Sequence, residues 1–202
     1  MMKLIDATRL LWVTPEAERL IVKTARVSAP QNEDNLATGP RLLKYLIKHK
    51  HWSPFEMANM CLEIHTQRDI SAQIIRHRSF HFQEFSQRYA ETEQAKIPKF
   101  RRQDSRNRQN SIDDLTDEQI DLLEELTYKH IKEGYELYQT MLEMGVAKET
   151  ARRHLPMCSP TRIYMNGTLR SWIHYIDLRT DPGTQWEHRT IANQAKIIFE
   201  QQ

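Results

Sequence analysis

Arg76-His77-Arg78-Ser79-Phe80-His81-Phe82-Gln83-Glu84-Phe85-Ser86-Gln87-Arg88-Tyr89 is the stretch of this 202-residue chain on which its reading turns. Residues 69–76, just before it, carry Ile70, Ile74 and Ile75 at helical spacing, so the arginines stand at the end of a short predicted helix. Arginine offers planar, bidentate donors suited to phosphate oxygens, and the interleaved aromatic side chains offer faces for a flat ring. A phosphorylated heteroaromatic ligand fits this set. A purely structural reading fits it as well: the helix dipole favours cations at a C-terminus, and Phe80, Phe82 and Phe85 are ordinary core residues.

Working outward toward the N-terminus, residues 57–66 place Met60, Leu62 and Ile64 at alternate positions, the pattern of a strand. Ser53-Pro54 before it reads as a helix-type cap, and Leu42, Leu43, Leu46 and Ile47 predict a helix ending before His51. Thr14-Pro15 predicts a helix to about Val27, preceded by strand-forming residues 3–13. In the other direction, residues 79–95 lack clear periodicity and residues 96–116 are polar, which predicts a surface excursion. Thr116-x-x-Gln119 has the spacing of a capping box and opens the longest predicted helix, with a stripe of Ile120, Leu123, Leu126, Ile131, Leu137 and Met141 and with Gly145 at its end. A short helix ends at Pro156, residues 158–167 are irregular or strand, Thr168 caps a helix to about Leu178, and residues 184–201 form the last one. The fold class is α+β: a helix-rich single domain over residues 1–202 with a small, mainly antiparallel sheet.

Composition narrows the function. A hydrophobic share of 39% with both charge signs abundant is the balance of a folded globular chain, and a net charge of +2 does not by itself imply nucleic-acid binding. Neither GxGxxG nor GxxxxGK[ST] occurs, and Gly numbers only five, so a glycine-rich phosphate loop is not expected. Cys61 and Cys158 form no CxxC pair, which leaves thiolate zinc and a disulfide framework unsupported. No metal site is expected. The first residues lack a basic segment followed by an apolar run, and no 18-residue apolar stretch occurs, pointing to the cytoplasm and to no membrane partner.

Spacing adds a family resemblance. RHR, seven residues, Ser86 and then Arg88-Tyr89 resembles the signature of flavin-dependent thymidylate synthases. Ala25-Arg26-Val27-Ser28 is similar to that family's ARVS segment, and His49-x-His51-x-Ser53-Pro54-Phe55-Glu56 to its H-x-[ST]-P-[FL]-E element. Ala151-Arg152 with Leu155-Pro156 resembles AR…LP, and Leu178-Arg179 with Gln185-Trp186-Glu187 resembles LR…QWE. These five ordered matches span about 160 residues.

The resemblance implies a reductive methylation of dUMP to dTMP, with 5,10-methylenetetrahydrofolate as carbon donor and FAD, reduced by NADPH, as hydride carrier. It implies that Arg76, His77, Arg78, Ser53, Glu84, Thr168, Leu169, Arg170 and His174 contact the cofactor. Gln73, Arg76, Glu84, Phe85, Ser86, Gln87, Arg88, Arg152 and Arg179 would contact dUMP, with Arg179 activating the uracil ring as the catalytic residue. His51 would lie near flavin and folate. It further implies a homotetramer with sites at subunit interfaces. His81 and Gln83 stand where serine and asparagine are common in the family, and Thr168 where asparagine often occurs; all three keep hydrogen-bonding capacity. Neither cysteine lies in a matched motif, and Cys61 is expected as a buried structural thiol. Two other readings weigh less. An RNA-binding module would use RHR and the basic run around 96–108, but no RNP, KH or helix-turn-helix signature accompanies them. A metal-dependent nucleotide hydrolase would need ligand spacing such as HExxH, which is missing among the nine histidines.

Overall fold

A computed structural model describes residues 7–202. Its centre is a four-stranded sheet in the order β1-β2-β6-β3, built from β1 (Ala7–Val13), β2 (Asn59–Gln67), β3 (His81–Glu84) and β6 (Pro160–Thr168). Every neighbouring pair is antiparallel, and β2 lies against β6 in register from Asn59 opposite Thr168 to Gln67 opposite Pro160. Around it stand α1 (Ala17–Ala25), α2 (Gly39–Lys48), α3 (Arg68–Ile74), α4 (Asp117–Glu143), α5 (Lys148–Ala151), α6 (Leu169–Arg179) and α7 (Trp186–Glu200). A separate two-stranded ladder, β4 (Arg102–Gln103) with β5 (Ser111–Ile112), lies in the polar segment. The chain is thus α+β and helix-rich with a small antiparallel sheet.

The alternation in β2 selects the core. Met60, Leu62 and Ile64 share one face and are fully buried, together with Ile163 and Met165 of β6, Trp172 and Tyr175 of α6, and Ile191, Ala192 and Ala195 of α7. The Trp172 indole N–H donates to the Met60 carbonyl at 2.8 Å, so the largest core side chain carries no unmet donor. On the other face Glu63 is only 6% exposed. It accepts from Arg9 at 3.0 Å and meets His65 at 2.7 Å, which holds its carboxyl below the usual range despite burial. Cys61 lies buried on this same face, as expected of a structural thiol.

Several boundaries differ from expectation. Of the predicted strand 3–13, residues 3–6 lie outside the described residues. The first helix does not begin at Thr14. That residue extends the sheet instead: its N–H donates to the Asn59 carbonyl at 2.9 Å, and its hydroxyl accepts from the Asn59 N–H at 2.9 Å. Glu16 then turns the chain with a φ of 50° before α1. Strand β3 has no apolar alternation of its own and is ordered by pairing with β6, which explains why periodicity missed it. The capping box at Thr116 and Gln119 is present with both reciprocal bonds, and Gly145 takes a φ of 80° after α4. Within α4 only Ile131 and Tyr138 are buried; Leu126 and Leu137 of the predicted stripe face solvent.

Candidate active site

The arginine-rich segment leaves α3 through a tight turn in which the His77 N–H donates to the Ile74 carbonyl and the Phe80 N–H to the His77 carbonyl. Phe80 then plugs into the core against Trp172 and Tyr175, with ring centroids 4.9 and 5.8 Å away. Gly167 on β6 makes this possible, since a Cβ there would lie 2.5 Å from the Phe80 ring. Anchoring Phe80 leaves Arg76 and Arg78 exposed on either side of half-buried His77. Ser171 ties this turn to α6. Its hydroxyl donates to the Ser79 carbonyl at 3.2 Å, while its N–H donates to the Thr168 hydroxyl at 3.2 Å as the helix cap.

Arg179, at the last turn of α6, comes back to the same place: its Nε donates to His77 Nε2 at 2.9 Å. The bond requires a bare Nε2, so His77 is neutral with its proton on Nδ1. Burial, reinforced by the Arg179 charge, lowers the His77 pKa to about 4 and keeps it so. Arg179 thereby retains both amino groups for other acceptors. It lines an open depression of about 580 Å³ with Gln73, Gln109, Asp177, Thr184 and Gln185.

A second constellation surrounds Glu84 at the end of β3. One carboxylate oxygen receives Arg68 at 2.6 Å, the Ser71 hydroxyl at 2.7 Å and the Thr161 hydroxyl at 3.0 Å. Three donors on Oε1 fix the side chain and leave Oε2 available. Immediately after it the Phe85 N–H donates to the Arg162 carbonyl at 2.8 Å, Ser86 is half-buried, and Gln87 is buried with its Nε2 lacking a protein partner. A third group lies at the start of α6. Arg170 forms an ion pair with Glu56 next to exposed Ser53, and the exposed His174 ring meets Trp52 at a centroid distance of 4.6 Å.

The expected residues thus fall into linked groups rather than one cluster of direct contacts. Gln73, His77 and Arg179 converge; Glu84 through Gln87 form the second set; Ser53, Arg170 and His174 form the third. His51 packs against the Tyr45 ring at 6.0 Å. Leu169 is 8% exposed and lines an apolar cavity of about 290 Å³ beside Val13, Ile21 and Phe55, away from the Arg179 depression. Arg88 pairs with Glu149 at 3.1 Å in an exposed ion pair, whereas Arg76, Arg78, Arg152 and Arg179 have no carboxylate within ion-pair distance among the described residues. Sequence reading missed Arg68, Ser71, Thr161 and Ser171. Their roles depend on pairing between α3, β3, β6 and α6, which no local motif marks. It also missed His188, fully buried beside Tyr175; a polar residue following the Gln185-Trp186-Glu187 motif was the one available signal.

Burial pushes both cysteine thiols above their ordinary value, the opposite of the shift that makes a reactive thiolate. Among the described residues no group of three His, Cys, Asp or Glu side chains could hold a metal ion.

Comparison with known proteins gives the family. The family described as thymidylate synthase complementing protein matches residues 9–202. A probable flavin-dependent thymidylate synthase of Paramecium bursaria Chlorella virus 1 is 51% identical over 199 residues, covering 98% of this chain and 92% of the relative. A flavin-dependent thymidylate synthase of Synechocystis is 47% identical over 182 residues, covering 90% and 84%. Among solved structures, the Streptomyces cacaoi UMP/dUMP methylase PolB bound with 5-Br dUMP shares the fold at a TM-score of 0.87 and 23% identity, over 97% of this chain and 90% of that one. With its residues matched from the first strand to the last helix, the chain belongs to the flavin-dependent thymidylate synthase family.

Proposed function

We propose that this protein converts dUMP to dTMP as a flavin-dependent thymidylate synthase, without a cysteine nucleophile. The observation that carries the reading is the set of arginines without carboxylate partners, Arg76, Arg78, Arg152 and Arg179, the last locked onto neutral His77 at 2.9 Å. Guanidiniums left unneutralised by the chain itself are suited to phosphate oxygens. The residues also suit FAD: Arg76 and Arg78 stand exposed on either side of His77 as donors suited to a diphosphate, and Ser53, Arg170 and His174 stand exposed around the start of α6. FAD, reduced by NADPH, supplies hydride when bound, and 5,10-methylenetetrahydrofolate supplies the carbon.

The chain's own contribution is binding and electrostatics. Arg179 cannot act as a base, since its pKa lies above about 12. Its free amino groups instead stabilise negative charge developing on the uracil N3–O edge, which makes C5 a better nucleophile. His77 holds the guanidinium plane by accepting its Nε–H. Glu84 offers Oε2 from a carboxylate fixed by Arg68, Ser71 and Thr161. Ser86, the unpartnered Gln87 amide, Arg88 and Arg152 hold the nucleotide, with Gln73 and Phe85 beside them.

The working form is a homotetramer. Support comes from α4, where Leu122, Leu126 and Leu137 fall on one side of a 27-residue helix and are each 44–57% exposed, an apolar stripe suited to burial against another copy. Residues 1–202 act as one domain, with 96–116 as an excursion. A cytoplasmic location agrees with the fact that, among the described residues, no helix is long and apolar enough to cross a membrane. The visible spectrum of the concentrated protein tests the cofactor. Yellow protein whose heat-released chromophore is FAD supports the proposal, and colourless protein that also fails to bind added FAD overturns it.

A further inference from the structure

Behind the Arg179 depression lies an unbroken hydrogen-bond chain that the reaction does not explain. Arg101, in the polar excursion, clamps Glu187 through Nη2 at 2.8 and 2.9 Å, with the two side chains 11% and 10% exposed and the guanidinium over the Trp186 ring at 5.4 Å. Gln185 Nε2 donates to the same carboxylate at 3.0 Å, and Gln185 Oε1 accepts from Gln73 Nε2 at 2.6 Å. Gln73 Oε1 faces His188 Nδ1 at 3.4 Å, and His188 Nε2 faces the Tyr175 hydroxyl at 3.1 Å.

The donor order follows from one charge. An ionised Glu187 only accepts, so the Gln185 amide must turn its nitrogen toward it and its oxygen toward Gln73. Gln73 must then present nitrogen to Gln185 and oxygen to His188, which requires a proton on His188 Nδ1. Neutral His188 has its bare Nε2 on the other side, and the Tyr175 O–H donates to it. Burial of the imidazole, fully enclosed between α3, α6 and α7, agrees with the neutral form: its pKa is lowered to about 3, burial first and the Arg179 charge next.

We infer that His188 is a positioning residue for nucleotide recognition, and that with Arg101 and Glu187 it sets which end of the Gln73 amide faces the depression. This rests on the reading of Gln73 as a dUMP contact. With its orientation fixed from both sides, Gln73 has one N–H and one lone pair left in defined places. Without the His188 donor the productive orientation of the Gln73 amide loses about one buried hydrogen bond, so the amide turns away from that orientation and affinity falls accordingly. The excursion is thereby coupled to the site through Arg101.

The test is dUMP binding to the flavin-loaded protein by calorimetry, with melting temperature recorded alongside. In His188→Leu the donor to Gln73 is gone, and the dissociation constant rises about tenfold, the size expected for one buried hydrogen bond. His188→Asn places an amide N–H where Nδ1 stood and restores binding to within about threefold of wild type. Arg101→Gln, which reaches Gln73 only through Glu187 and Gln185, weakens binding in the same direction and decides the matter if His188→Leu does not fold. A folded His188→Leu with wild-type dUMP affinity, whatever its melting temperature, overturns the inference while the thymidylate synthase reading stands. Equal weakening in the Leu and Asn variants overturns the assignment of His188 as donor. A wild-type protein that binds no dUMP overturns the functional reading and this inference with it.

Discussion

Acid should destabilise this fold through His188 in a way that a single substitution removes. The imidazole is fully buried, and its pKa is lowered to about 3 from an ordinary 6.5. Because the folded value lies below the unfolded one, the unfolded chain takes up the proton first. Stability is therefore complete above about pH 6.5 and falls toward pH 3, at up to about 1.4 kcal/mol per pH unit within that window. Between pH 7 and pH 5 the loss assigned to this one group is about 2 kcal/mol. His77 acts in the same direction, its pKa lowered to about 4, but its partial exposure reduces its share. Carboxylates with lowered pKa, such as Glu63, add to the acid sensitivity of the whole protein, so the wild type alone is not diagnostic. The comparison with His188→Leu is: the shared contributions cancel, and the variant should lose about 2 kcal/mol less than wild type between the two pH values. Urea unfolding at pH 7 and pH 5, at one fixed protein concentration because subunit association contributes to stability, measures this. Equal losses in the two proteins would refute the reasoning and mean that His188 is not held neutral by burial.

Other perturbations probe the rest of the account. Gly167→Ala drives a methyl into the Phe80 ring at 2.5 Å and should cost about 1–3 kcal/mol in thermal or urea unfolding; because Phe80 seats the His77 turn, retained flavin should fall too, read from the ratio of flavin to protein absorbance. Arg179→Ala should keep bound flavin yet lower dTMP formation by about a thousandfold, the scale of losing a donor to developing charge; near-normal turnover, measured by chromatographic separation of dUMP and dTMP, would remove it from the catalytic role. The Cys61→Ala/Cys158→Ala protein should still make dTMP, since both thiols are pushed up by burial; a folded, flavin-bound double variant without activity would contradict this.

Much of the architecture is legible in the sequence where local rules agree with tertiary context. The Thr116–Gln119 capping box and the Thr168 cap read correctly because the side-chain acceptor and its N–H lie within three residues. Strand β2 is readable from Met60, Leu62 and Ile64, although burial of Cys61 and Glu63 on the other face blurs the alternation. Reading fails where partners lie far along the chain. Thr14 resembles a cap until Asn59 recruits it into the sheet, and His81–Glu84 become a strand only against β6. The α4 stripe fails differently: helical spacing marks Leu126 and Leu137 as apolar-face residues, but among the described residues both are left about half exposed. At the site, motif spacing found His77 and Arg179, which meet across 102 positions, but not Arg68, Ser71 and Thr161 on Glu84 or His188 behind Gln73. Those residues act by orienting others, and orientation has no signature in one dimension.

The central claim is best tested by measuring dTMP formation from dUMP, 5,10-methylenetetrahydrofolate and NADPH with the purified protein, with its FAD removed and then restored. The account predicts no dTMP from the stripped protein and recovery of product when FAD is returned. Undiminished dTMP formation without flavin, or none with FAD fully bound, would contradict it.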